Sequence, residues 1–198
     1  MKIILVGASG TVGRAVYATL SKEHEVIGVS RSTDISVDIG DRKSIENMYK
    51  KIGSFDALVS ATGSVAFKTF EEFTDDSFGL GLNNKLMGQV NLVQEGLKYI
   101  NQNGSFTLTS GILNHEPILG SVSASMVNGA LDAFVKAASL EIREKARLNI
   151  VSPGVVTESL DVYGEAFKGF ISIDAKDVAM SYVRSVEGIL TGKVFGFA

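Results

Sequence analysis

Gly7-Ala8-Ser9-Gly10-Thr11-Val12-Gly13 lies between a short apolar run, Lys2–Val6, and an amphipathic stretch, Val12–Leu20. A strand, a glycine turn and a helix in that order suit a bound dinucleotide. Glycine permits the tight turn and lets backbone N–H groups approach a pyrophosphate. The helix that follows aims the positive end of its dipole at the phosphates. The spacing alone is weak, because ordinary strand-to-helix turns also use glycine. The flanking elements carry the reading.

Working outward, short apolar runs alternate with longer amphipathic ones. Lys2–Val6, Glu25–Ser30, Ile35–Val37, Asp56–Ala61, Ser105–Ser110, Leu148–Ser152 and Lys193–Phe197 read as strands. They are near-continuously apolar, as strands covered on both faces must be. Val12–Leu20, Arg42–Lys51 capped by Asp41, Asp75–Ile100 capped by Thr74, Ser121–Lys145 and Ala175–Glu187 read as helices. The last begins at Asp174 with Asp177 three residues on, a spacing like a capping box. Strand–helix alternation implies an α/β chain: a doubly wound parallel sheet of about seven strands with helices on both faces. Residues 1–198 are expected to form one such domain.

In sheets of this kind ligands bind beyond the carboxyl ends of the strands. The unusual residues cluster there. Gly7–Gly13 follows the first strand, Arg31 the second, Asp38 the third and Ala61-Thr62-Gly63 the fourth. Ser110-Gly111 follows the fifth and Pro153-Gly154 the sixth.

Composition narrows the classes. A net charge of -3 makes no electrostatic case for nucleic acid or an anionic membrane. With no cysteine, disulfides, thiol catalysis and thiolate metal sites are excluded. His24 and His115 are too few and too scattered for a metal site, so none is expected. The glycine turn interrupts the apolar amino terminus too early for a signal core or a span, which makes a cytoplasmic protein the default. No Ser-nucleophile elbow and no phosphate loop ending in Gly-Lys-Ser/Thr occurs. Asn83-Asn84 and Asp75-Asp76 read as helix polar-face and first-turn residues.

The end of the second strand sets cofactor preference. An acidic residue there would bind the ribose hydroxyls of NAD. Ser30-Arg31-Ser32-Thr33 instead offers a guanidinium and hydroxyls to a 2′-phosphate, which favours NADP(H) over NAD(H). Against this stands a plain solvated Arg31. Asp38, next to Ile39, fits either the adenine amino group or the cap of the next turn.

With these segments in place the chain resembles the short-chain dehydrogenase/reductase family, a Rossmann-type fold, over essentially its whole length. The resemblance rests on the glycine turn, Val37-Asp38-Ile39, Ser60-Ala61-Thr62-Gly63, Thr109-Ser110-Gly111, Ser152-Pro153-Gly154 and Thr191-Gly192-Lys193-Val194. Most members have about 250 residues. The shortfall here falls mainly between Pro153 and Asp174, where the family carries a substrate lid. That implies a small or open pocket. The resemblance also implies a nicotinamide cofactor held by Gly7, Ser9, Gly10, Thr11, Val12, Gly13, Arg31, Ser32, Asp38, Ile39, Ala61, Thr62, Gly63, Lys85, Pro153, Gly154 and Val156. It further implies a small-molecule substrate and a homo-oligomer, dimer or tetramer, in which Leu86, Val90, Leu131 and Val135 pack either between subunits or within one chain.

The family works with a Ser-Tyr-Lys set plus a helix Asn. Matched by motif, Ser110 takes the serine position. The step Gly129-Ala130-Leu131 puts Ala124 at the tyrosine position and Asn128 at the lysine position. Leu86-Met87-Gly88 puts Lys85 at the asparagine position. The tyrosine is therefore absent, while Lys and Asn are exchanged between two helices. An exchange of this kind keeps one ammonium and one amide near the nicotinamide ribose. Lys85, Ser110 and Asn128 are then the candidate catalytic set, with Lys85 as general acid if its pKa is depressed. The alternative is a surface Lys85 and a pocket that has lost activity. His115 and Tyr163, in loops above the same edge, are further candidate proton sources, against the more common reading of each as a plain loop residue. Strict register places Glu158, rather than Thr157, where the family has a phosphate-touching Thr.

Three functions are compatible: an NADP(H)-dependent reductase of a small carbonyl or activated double bond with non-standard proton delivery, a catalytically silent NADP(H)-binding sensor or scaffold, and a non-redox isomerase or dehydratase using the same pocket.

Overall fold

The computed structural model describes residues 1–196. Six parallel strands form one sheet in the order β2-β1-β3-β4-β5-β6. They are β1 Lys2–Val6, β2 Glu25–Val29, β3 Phe55–Ser60, β4 Ile100–Thr109, β5 Ala146–Ser152 and β6 Val194–Gly196. The helices are α1 Thr11–Leu20, α2 Arg42–Ile52, α3 Asp75–Gly79, α4 Met87–Gly96, α5 Val122–Ile142, α6 Leu160–Tyr163 and α7 Ala175–Glu187. Phe197, the last residue of the expected final strand, lies outside the described residues.

The pleat sorts β1 side chains onto two cores. Ile4 and Val6 enter one with Tyr49 of α2, Leu92 of α4 and Val127, Leu131 and Val135 of α5. Ile3 and Leu5 enter the other with Val16 of α1 and Tyr182 of α7. Leu131 and Val135 are thus fully buried within the chain's own core. In the first core Tyr49 stacks against both Phe55 and Tyr99, and its hydroxyl donates to the Leu92 carbonyl.

Four expectations are corrected. The sheet has six described strands, not about seven. Ile35–Val37 is not a strand but a loop with a single bridge from Ser36 to Ser30. The turn before it closes on itself: the Thr33 hydroxyl accepts from Ser30 N at 2.7 Å and reaches the Ile35 carbonyl at 2.9 Å. The expected helix Asp75–Ile100 is broken. Thr74 caps its start, but Leu80–Leu86 winds as a π-helix before α4, and β4 already begins at Ile100. Lastly, Asp174 makes no side-chain cap on α7. The Glu158 carboxylate takes that role, accepting from Ala175 N at 3.0 Å. This gives Glu158 a structural task in place of the phosphate contact that strict register assigned to a Thr.

The chain leaves β1 to pair β2 on one side and β3 on the other. At this reversal the loops after β1 and β3 diverge, which opens a crevice at the carboxyl edge.

Candidate active site

The glycine turn closes over the end of β1. Gly7 N donates to the Val29 carbonyl at 2.8 Å, and Ala61 N to the Val6 carbonyl at 2.8 Å. Gly7 has φ +87°, and a Cβ there would stand 2.4 Å from the Ala61 carbonyl oxygen. A Cβ on Gly13 would lie 2.0 Å from the Gly7 carbonyl oxygen. Only glycine fits either position, so strand, turn and α1 approach closely and the amino end of α1 faces the crevice.

A cavity of about 430 Å³ follows from this packing. Gly7, Ser9, Gly10, Arg31, Ser32, Asp38, Ile39, Ala61 and Thr62 line it. Thr11, Val12, Gly13 and Gly63, expected at the cofactor, lie outside its wall. Arg31 is exposed at the rim and has no carboxylate partner among the described residues. Asp38 lines the cavity and also caps the next turn, its Oδ1 accepting from Gly40 N at 2.9 Å. The expected turn cap is therefore formed, by a residue that also stands in the cavity wall. A polar wall of backbone and hydroxyls, a glycine cradle and a free guanidinium fit a phosphate-bearing dinucleotide.

Asn84 belongs here too, although the sequence reads as a helix polar face. It lines the cavity, and its Oδ1 accepts from Ser64 N at 2.9 Å. Asn84 and Lys85 are neighbours on the π turn, and successive helical side chains diverge enough to reach different cavities.

A second cavity, of about 240 Å³, lies over the ends of β4 and β5. Lys85, Ser110, Asn128, Pro153, Gly154 and Val156 all line it, with apolar Val65, Phe67, Ile112, Leu113, Ala124, Val155 and Phe167. Lys85 Nζ donates to the Ser110 carbonyl and to Asn128 Oδ1, each at 2.8 Å. Asn128 Nδ2 in turn donates to the Gly111 carbonyl at 3.0 Å. The stem of Lys85 lies over Gly63, where a Cβ would meet Lys85 Cγ at 2.5 Å. Lys85 and Asn128, which the family motifs suggest are exchanged, therefore touch each other. Burial pushes the Lys85 ammonium down to about 8, with the Asp132 carboxylate pulling weakly the other way.

Ser110 is buried, and its Oγ has no partner among the described residues. Its strand end is held by a residue that the sequence did not flag. Buried Gln89 accepts from Thr109 N at 2.9 Å and donates to the Thr109 carbonyl at 2.8 Å. Ala124 packs with Ile112 and Leu113, so the tyrosine position is filled by core. Tyr163 lines the cavity. His115 does not. It is exposed, 3.7 Å from Asp132.

Residues 2–189 match the family described as enoyl-(acyl carrier protein) reductase. The chain belongs to the short-chain dehydrogenase/reductase family. The protein lin1944 from Listeria innocua is 44% identical in its crystal structure, with a TM-score of 0.98 and full coverage of both chains. A small-chain dehydrogenase solved in complex with NADPH is 25% identical, with a TM-score of 0.89, over 100% of this chain and 96% of that one. An uncharacterized oxidoreductase of Methylorubrum extorquens is 25% identical over 82% of this chain and 76% of its own length. No described helix is long and apolar enough to cross a membrane.

Proposed function

We propose that this short-chain dehydrogenase/reductase is an NADP(H)-dependent reductase of a small carbonyl or activated double bond, with Lys85 delivering the proton. The observation that carries the proposal is the pair of 2.8 Å bonds that hold Lys85 Nζ between Ser110 and Asn128 in the wall of an apolar cavity.

The glycine cradle and the amino end of α1 would hold the pyrophosphate, and Arg31 with Ser32 the 2′-phosphate. The NADPH held by a 25%-identical neighbour supports the same cofactor here. Bound with its ring over the second cavity, the nicotinamide would supply two electrons and a hydrogen to the substrate carbon. The apolar wall excludes water and positions the substrate. Ser110 Oγ donates to the substrate oxygen. Lys85 then passes a proton to that oxygen as negative charge develops there. A group pushed down to about 8 is mostly protonated at neutral pH and gives its proton up readily. The pocket is assigned to small molecules, and assembly into a dimer or tetramer remains a family expectation.

NADPH oxidation followed with a panel of small aldehydes, ketones and enones tests this reading. Turnover that depends on NADPH supports it. Tight NADPH binding with no turnover would favour a silent binding protein, and product formed without cofactor oxidation a non-redox enzyme.

A further inference from the structure

We propose that Lys85 is also a nucleophile, capturing small apolar aldehydes and ketones as a reversible imine in the second cavity. This activity goes beyond the reductase reading, because it needs the cavity and the amine but no dinucleotide.

The argument starts from the geometry of the nitrogen. A lysine nitrogen has three positions besides its bond to carbon. Two are used here, toward the Ser110 carbonyl and Asn128 Oδ1. Both acceptors belong to cavity-lining residues, so the nitrogen sits at the cavity wall. The third position has no protein partner among the described residues. In the ammonium it is an N–H, which suits proton delivery. In the neutral amine the two N–H groups stay on the same two acceptors, and the third position is the lone pair. The hydrogen bonds that fix the acid therefore aim the nucleophile.

The surroundings allow the neutral form. No carboxylate lies within ion-pair distance of Lys85 among the described residues, and most of the cavity wall is apolar. Desolvation in an apolar pocket is how lysines become nucleophiles toward carbonyls. The charged or titratable groups near it are few. Asp132 of α5 acts on it through space, beside His115, and Tyr163 of α6 lines the same cavity. The Ser110 hydroxyl is buried and unpartnered in the same wall, so it is available to a carbonyl oxygen.

The step balances without a redox partner. The amine lone pair adds to the carbonyl carbon, and a proton moves to the oxygen to give a carbinolamine. Loss of one water, made of the carbonyl oxygen and both amine hydrogens, leaves a C=N bond to Nζ. Addition of water reverses the step. The cavity admits small substrates. Among the described residues Lys85 is the one cation in its wall, so a substrate carboxylate would meet no other described cation there.

The test traps the imine. Protein free of nicotinamide cofactor is mixed with butanal and borohydride, digested, and mapped by mass spectrometry. The expected result is reductive labelling of Lys85 about tenfold or more ahead of exposed Lys43 and Lys176, because a larger share of Lys85 is neutral at pH 7. Its labelling should rise between pH 6.5 and 9, while Lys85→Arg should show no label at that position (pH values about a unit or more to either side of the expected midpoint). The wild-type map alone decides the matter if Lys85→Arg does not fold. Labelling of Lys85 no faster than Lys43 and Lys176 overturns the proposal. Labelling without any NADPH-dependent turnover would overturn the reductase reading and leave this one standing.

Discussion

The 430 Å³ cavity is walled largely by the glycine turn and by loop residues next to β1, β2 and β3, whereas the 240 Å³ cavity is walled mostly by side chains from six separate stretches of chain. In the first, shape comes from main-chain turns that only glycine permits, and backbone and hydroxyl groups line it together with Arg31, Asp38 and Asn84. In the second, the Lys85 ammonium, the Asn128 amide and the hydroxyls of Ser110, Ser159 and Tyr163 are set into a largely apolar shell. A backbone site tolerates little change in sequence because its geometry is the function. A side-chain site can exchange members between elements while keeping the same groups in one place. Lys85 on the π turn and Asn128 on α5, bonded at 2.8 Å, have the contact that the proposed exchange requires.

If the two cavities divide binding from chemistry, substitutions should separate the two. The largest effect is expected from Lys85→Met, which removes the proton donor without adding charge. Turnover should fall about a hundredfold or more. NADPH affinity, read by fluorescence titration, should change less than about tenfold. A parallel loss of both would break the division. Arg31→Ala acts on the other side. NADPH should bind about tenfold to a hundredfold more weakly, the cost of a charge-assisted pair, while NADH binding stays the same. Equal loss for both cofactors would mean that Arg31 does not read the 2′-phosphate.

Smaller effects test the scaffold. Gln89→Leu strips two bonds from the backbone of Thr109, next to Ser110, and should cost about 2 kcal/mol in urea unfolding. It should also lower turnover more than NADPH affinity, since the strand end it frees belongs to the chemical cavity. Glu158→Ala removes the acceptor at the start of α7 and should cost about 1 kcal/mol, with little change in either function.

Much of the fold that sets out the two cavities was legible in the sequence, for a physical reason. The turn Gly7–Gly13 is local: its constraint and its residues lie within one stretch. Strand–helix alternation likewise writes parallel topology into the order of elements, so the carboxyl edge could be located from the chain alone. Three features were less visible. Ile35–Val37 has strand-like residues, but the closed hydroxyl turn at Thr33 leaves it only one bridge. The π turn at Leu80–Leu86 has no clear sequence mark, and it carries both Asn84 of one cavity and Lys85 of the other. The cap by Glu158 joins residues 158 and 175, which local capping patterns do not connect. The Lys85–Asn128 contact, between residues 43 apart, came within reach only because family motifs aligned the two helices.

The claim that Lys85 is the acid of this cavity is tested most directly by the pH dependence of turnover under saturating NADPH and carbonyl substrate. The proton donor must be charged, so wild-type turnover should hold below pH 8 and fall as pH rises through about 8. In Lys85→Arg, whose guanidinium stays charged, any residual turnover should lose that limb. A wild-type profile that stays level or rises well past pH 8, or a falling limb that persists unchanged in Lys85→Arg, would contradict the account.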